Sequence, residues 1–269
     1  MRPLLTLLIY SNSWVALCLS MLVLGLGTYF QLAELHLFFF WSFCSTVSAY
    51  QLHRLFRLKQ LEYTVRSNRR LFWMQKTYTL QICWFVINFL CCVLLTVYLP
   101  FSKESLLLLL VNCVVVGLYA LPLPFIGNGI RNLPFMKNIL ISLSWTIIVL
   151  LPLASENHQI PWILPIIIAV SVFAQIIPFD ARDVAHDLKS MFTIPQLVGV
   201  PASKYIGFGI FAFALTLQFV YLNFHWLYFP ILVIAAFGHF FPFKVGYQLR
   251  LEFMWELPLG LMGLWFLMV

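Results

Sequence analysis

The sequence has 269 residues, of which 62% are hydrophobic and 9% are charged, and its mean hydropathy is +0.94. Soluble domains carry about 25% charged residues, so this composition excludes a water-soluble fold and predicts helices that cross a membrane. The net charge of +7 does not indicate nucleic-acid binding, because the basic residues are spread over short connections between apolar runs.

Nine apolar segments follow one another along the chain, and each predicts a membrane-spanning helix. They cover residues 12–30, 35–53, 76–99, 105–122, 135–153, 160–178, 203–222, 225–242 and 252–269. Hydrophilic stretches between them are too short to form a separate domain. Residues 1–269 are therefore predicted to form a single all-helical membrane domain.

The basic residues predict the orientation of these helices. Under the nine-helix arrangement, fifteen of the sixteen lysines and arginines fall on one side of the membrane, and only Lys103 falls on the other. Basic loop residues stay on the cytoplasmic side. We therefore predict a multi-pass protein of the cell (inner) membrane with a cytoplasmic N-terminus, which handles polar ligands at its cytoplasmic face.

The connection after the sixth segment carries three acids, Asp180, Asp183 and Asp187. On a helix this spacing would place them on one face. Three carboxylates on one face repel one another unless a cation lies between them, and Mg²⁺ commonly bridges protein carboxylates to a substrate phosphate. The spacing is compatible with a magnesium site, but by itself it is better explained by a solvated, charged loop with Arg182 and Lys189 as counter-ions.

A Thr-Ile-Pro sequence and a glycine follow the acids, within residues 193–199. Together with the acid triplet, they resemble the second aspartate-rich motif of the UbiA family of intramembrane prenyltransferases. Two upstream segments are also similar to that family. One is the Tyr-x-x-Pro sequence that begins at Tyr119, and the other is the lysine-containing entry to the fifth span at residues 131–138.

The resemblance implies a nine-helix bundle around a central cavity that is open laterally to lipid. It implies transfer of a prenyl group from an isoprenoid diphosphate to a lipid-soluble acceptor, with membrane lipid and the diphosphate as partners. Mg²⁺ would be held by Asp180, Asp183 and Asp187, of which Asp183 and Asp187 would be the catalytic acids. The residues expected to contact the substrate are His53, Arg54, Tyr119, Arg131, Lys137 and Lys189.

The sequence departs from the family at the end of the second span, where a first acid motif is expected. Residues 35–61 contain no Asp or Glu, and His53, Arg54 and Arg57 stand where acids are expected, with Gln51 in the place of an asparagine. Guanidinium groups could bind the phosphate directly in place of a metal. Alternatively, the scaffold has lost its catalytic activity and binds or transports an isoprenoid or a quinone.

Two further acids, Glu252 and Glu256, lie four residues apart near the start of the last span. We expect them to pair with Lys244 and Arg250 at the membrane interface, although they could also supply a metal ligand. Gln175, inside the sixth span, is expected to form an interhelical hydrogen bond.

Overall fold

The computed structural model describes residues 2–60, 69–121, 130–184, 192–221, 228–240 and 248–267, and within these ranges the chain is helical, with no β-strand. The helices are α1 (Arg2–Tyr10), α2 (Ser13–Tyr29), α3 (Leu35–Gln60), α4 (Arg69–Lys76), α5 (Tyr78–Tyr98), α6 (Lys103–Ala120), α7 (Met136–Ser155), α8 (Ile163–Asp183), α9 (Ile194–Val198), α10 (Val200–Tyr221), α11 (Tyr228–Phe240) and α12 (Gln248–Leu267). A short 3₁₀ turn, Ile130–Asn132, precedes α7.

Local sequence explains where several helices begin and end. In lipid the backbone must satisfy its own hydrogen bonds, so the long apolar runs become helices. Helix α5 ends at Tyr98, two residues before Pro100, because proline disfavours helical geometry in the residue that precedes it. Helix α6 begins after Ser102, whose hydroxyl caps it by accepting a hydrogen bond from the Ser105 amide (3.2 Å).

The first span is broken near its start. Helix α1 and helix α2 meet at an angle of 71°, and buried Asn12 at the break has a φ of 64°, in the left-handed region that asparagine tolerates better than most residues. The break turns α1 across the end of the bundle instead of continuing the line of α2.

The long helices pack into a closed ring. Helix α2 packs against α3 on one side and α12 on the other, and the ring continues from α3 through α6, α7, α8, α10 and α11 back to α12. Helix α5 packs against α3. Contacts of α2 with α7 and of α8 with α12 cross the ring, so these four helices surround its centre.

Glycines bring α2 and α12 into close contact. A Cβ atom on Gly25 would overlap the carbonyl group of Gly263, and a Cβ atom on Gly263 would overlap the backbone of Met21. Small residues at such crossings let two helix backbones approach within a membrane, where packing drives association. This contact closes the ring between the first and the last long helices.

The prediction of an all-helical, multi-pass integral membrane protein is confirmed. Five described helices (α5, α6, α7, α8 and α10) are long and apolar enough to cross a membrane, and the bent pair α1–α2 makes a sixth span if it is counted as one. The apolar parts of α11 and α12 are shorter. Each of the nine predicted segments overlaps a described helix, but the count of nine spans stays a prediction.

Helices α3 and α8 continue five or more residues past the C-terminal ends of the apolar segments that predicted them. Helix α3 continues past residue 53 to Gln60, and α8 continues past residue 178 to Asp183. His53, Arg54, Asp180 and Asp183 therefore lie on helices.

Candidate functional site

A cavity of about 180 Å³ lies at the end of the bundle where α3 and α8 end and α2, α7 and α12 begin. Its polar and charged lining residues are Asn12, Tyr50, His53, Arg54, Tyr119, Arg131, Lys137, Gln175, Arg182, Asp183 and Glu256. Apolar side chains, including Ile141, Trp145, Val172 and Leu259, complete the wall. The cavity therefore has both charged and hydrocarbon surface.

The structure brings together most of the residues that the sequence predicts to contact substrate. His53 and Arg54 come from α3, Tyr119 from α6, Arg131 from the 3₁₀ turn and Lys137 from α7, and all five line the cavity that Asp183 also lines. Two other predicted site residues, Asp187 and Lys189, lie outside the described residues. The side chain of Arg57 also lies outside the described residues.

His53, Tyr119 and Arg131 form one cluster on the cavity wall. A guanidinium nitrogen of Arg131 is within hydrogen-bonding distance of His53 Nε2. The Arg131 guanidinium lies 5.0 Å from the centre of the Tyr119 ring, and the His53 and Tyr119 rings are 4.8 Å apart. An arginine over an aromatic face gains cation–π attraction. The cluster thus fixes a positive charge at the cavity.

Two neighbouring polar residues of α3 form hydrogen bonds to the backbone at the α1–α2 break. Arg54 Nη1 donates to the carbonyl oxygen of Tyr10 (3.3 Å). Gln51 is fully buried, and its Nε2 donates to the carbonyl oxygen of Ser11 and to Gln81 Oε1, each at 2.9 Å. Gln51 thereby ties α3 to α5 and to the α1–α2 connection.

Asp180 occupies a different position from the one the sequence predicts. It is fully buried beside α7, where Lys137 Nζ lies 2.8 Å from Oδ1 and Asn138 Nδ2 donates to Oδ2 at 2.8 Å. Both carboxylate oxygens are therefore engaged by α7, and Asp180 is outside the set of residues that line the cavity. In this structure Asp180 is therefore paired with α7, and its role as a metal ligand stays a prediction.

Asp183, by contrast, lines the cavity, and its side chain is 27% exposed. Arg182 makes a two-pronged contact with it, from Nε to Oδ1 at 2.6 Å and from Nη2 to Oδ2 at 2.7 Å. The same guanidinium lies 5.4 Å from the Phe179 ring and 5.8 Å from the Trp255 ring. Helix α12 thus helps to hold the Arg182–Asp183 pair at the cavity.

The described residues do not by themselves form a divalent-cation site. Among them, no group of three or more histidine, cysteine, aspartate or glutamate side chains is close enough to hold a metal ion. The described carboxylates that line the cavity are Asp183 and Glu256, and Arg182 already contacts the first. The magnesium site therefore stays a prediction, and Asp187, one of its three predicted ligands, lies outside the described ranges.

The charge balance of the cavity favours an anion. Among the described residues, four cationic side chains line it (Arg54, Arg131, Lys137 and Arg182). Three carboxylates lie beside them, since Asp180 pairs with Lys137, Asp183 pairs with Arg182, and Glu256 is on the wall, which leaves a net positive charge. Arginine binds phosphate oxygens through two parallel hydrogen bonds. The arrangement is suited to a phosphate or diphosphate group next to hydrocarbon.

Two residues line the cavity at positions that the sequence did not predict. Glu256 was expected to pair at the membrane interface, but it faces the cavity; the side chains of Lys244 and Arg250 lie outside those described. Gln175 was expected to bond to another helix, yet its Nε2 is buried and has no hydrogen-bond partner among the described residues. Sequence alone offers no signal that separates a cavity-lining glutamine from one that bonds to a neighbouring helix.

Comparison with known proteins identifies the class of fold. No protein-family model and no curated protein matches the sequence. Among solved structures, one described as digeranylgeranylglyceryl phosphate synthase has a TM-score of 0.58 at 16% identity, covering 100% of this chain and 98% of that one. A UbiA homolog from Archaeoglobus fulgidus, bound to GPP and Mg²⁺, has a TM-score of 0.59 at 13% identity, covering 98% of this chain and 100% of that one.

The same homolog bound to DMAPP and Mg²⁺ has a TM-score of 0.58 at 13% identity, with 97% and 99% of the two chains covered. These likenesses identify the fold of the helical bundle. The chain has the UbiA-family fold, as the sequence resemblance predicted.

Proposed function

We propose that this protein is a UbiA-like intramembrane prenyltransferase that binds an isoprenyl diphosphate in the cavity. One observation carries the proposal. His53 and Arg54, which replace the expected first acid motif, line the same cavity as Arg131, Lys137 and Asp183. A composite basic site of this kind can bind the diphosphate group through guanidinium and ammonium donors.

A second, apolar pocket supports a ligand with a hydrocarbon tail. It lies between α3, α6 and α7, and residues such as Val115, Val116 and Leu140 line it. Tyr50, Tyr119, Ile141 and Trp145 line both pockets, so the two adjoin. A charged head in the basic cavity and an isoprenyl chain in the apolar pocket would match this division of surface.

The same surfaces support transfer chemistry. When the carbon–oxygen bond of an allylic diphosphate breaks, the bonding electrons leave with the diphosphate, and Arg54, Arg131 and Lys137 stabilise the charge that develops there. The allylic cation remains against apolar walls that exclude water. A lipid-soluble acceptor then forms the new bond to the allylic carbon and loses a proton.

Binding of a labelled prenyl diphosphate to the purified protein tests the proposal, with and without Mg²⁺. Replacing Arg54 by glutamine removes one charge-assisted contact, worth about 1.5–3 kcal/mol, so affinity should fall roughly 10- to 100-fold. Lys103→Gln is the matched control, because Lys103 is an exposed cation at the start of α6, away from the cavity. Equal binding of the prenyl alcohol and its diphosphate would overturn the proposal.

A non-catalytic function on the same scaffold is the second candidate. One observation favours it: both described aspartates of the acid motif, Asp180 and Asp183, are already in contact with cationic side chains. This function would be binding or transport of an isoprenoid or a quinone. It predicts that the phosphate-free ligand binds as tightly as the diphosphate and that turnover is absent with every acceptor offered.

A further inference from the structure

We infer that Gln175 forms a second, neutral subsite in the cavity, which binds a hydroxyl or carbonyl oxygen of the acceptor. The identification of that ligand as the acceptor rests on the proposed function. The existence of the subsite rests on the buried, unpaired Nε2 of Gln175 and on the cavity that this residue lines.

The position of Gln175 on α8 separates this subsite from the basic one. Gln175 precedes Arg182 by seven residues, so the two side chains share one face of the helix. Both line the cavity. Seven residues of α-helix rise by about 10 Å, so Gln175 lies two turns deeper in the bundle than the cation.

The surroundings of Gln175 call for a polar ligand group. Its side chain is 2% exposed, and its Nε2 has no hydrogen-bond partner among the described residues. Its neighbours on the cavity-facing side of α8, Val172 and Ile176, are apolar. A buried NH₂ group without an acceptor is unfavourable, whereas a ligand oxygen at that point supplies the missing hydrogen bond in a medium of low polarity.

The chemistry of the amide selects the class of ligand. A primary amide both donates and accepts hydrogen bonds but carries no charge. A hydroxyl group satisfies either atom of the amide, and a carbonyl satisfies its NH₂ group. The remaining wall at this depth, which includes Ile141, Trp145 and Leu259, suits the hydrocarbon part of such a molecule, for example an aromatic ring.

Paired binding of naphthol and naphthalene to the purified full-length protein tests the inference. Both probes present the same apolar rings, and only naphthol carries an oxygen. When all variants are measured in the same detergent, each probe partitions into micelles to the same extent. This partition therefore cancels when the naphthol preference of one variant is compared with that of another. Wild-type protein should prefer naphthol over naphthalene roughly ten-fold more strongly than Gln175→Leu does, which is the effect of one satisfied buried hydrogen bond.

Gln218→Leu is the matched control. Gln218 is a fully buried amide on α10 whose polar atoms also lack described partners, but it is outside the set of residues that line the cavity. This variant should keep the preference for naphthol. A naphthol preference that is equal in the wild type and in Gln175→Leu would overturn the inference.

Prenyl diphosphate binding, measured on the same samples, separates this inference from the proposed function. Gln175→Leu should bind the diphosphate as the wild type does, since Gln175 lies about 10 Å from the level of Arg182. Loss of diphosphate binding in that variant would contradict a separate subsite. Failure of the wild type to bind any diphosphate would overturn the proposed function, while the naphthol comparison would still decide the role of Gln175.

Discussion

The two ends of the bundle use polar residues in different ways. At the end away from the cavity, polar groups close the connections between helices: the Glu156 carboxylate accepts the Ala33 amide (3.0 Å), and Trp41 Nε1 donates to Thr96 Oγ1 (2.9 Å). At the cavity end, charged side chains from four separate helices and a 3₁₀ turn surround one space. Among the described residues, charge is therefore concentrated at the end of the bundle where a ligand can bind.

The Lys137–Asp180 pair connects these two uses, because it is buried like a structural contact yet its lysine lines the cavity. Asp180→Ala should have the largest effect on stability, since it leaves a buried ammonium without its counter-ion. We expect a loss of about 3–5 kcal/mol in the free energy of unfolding. Thermal unfolding in detergent, monitored by circular dichroism, measures the change as a lowered midpoint.

The double variant Asp180→Leu, Lys137→Met is the control for this prediction. Replacing a buried ion pair by apolar side chains of similar size is often close to neutral for stability. The double variant should therefore recover most of the unfolding midpoint and still lose diphosphate affinity, because the cation is gone. A single Asp180→Ala variant as stable as the wild type would show that the pair is not buried as described.

The sequence predicted the class and the general position of the site for clear physical reasons. Apolar runs determine the membrane helices, and clustered charge in such a composition marks a functional end. It did not predict that Asp180 pairs with Lys137, because the two residues are 43 positions apart and only the packing of α7 on α8 brings them together. The cavity-facing positions of Gln175 and Glu256 likewise depend on helix rotation, which nearly uniform hydrophobicity along a span does not reveal.

A change at the opposite end of the bundle should affect stability without affecting the ligand. Glu156 accepts hydrogen bonds from the amides of Ala33 (3.0 Å) and Glu34 (3.5 Å), which anchors the connection between α2 and α3. Glu156→Gln replaces a charged acceptor by a neutral one, so we expect a loss of about 1 kcal/mol in unfolding free energy. Diphosphate affinity measured on the same sample should be unchanged, and a change in it would contradict the separation of the two ends.

The smallest effect is expected from the aromatic ring that supports Arg131. The guanidinium lies 5.0 Å from the centre of the Tyr119 ring, and such a contact contributes about 0.5–1 kcal/mol at a partly exposed site. Tyr119→Leu should therefore weaken diphosphate binding roughly 2- to 5-fold. Tyr119→Phe keeps the ring and should bind almost as the wild type does. If the two variants lose affinity equally, the hydroxyl group of Tyr119, and not its ring, acts at the cavity.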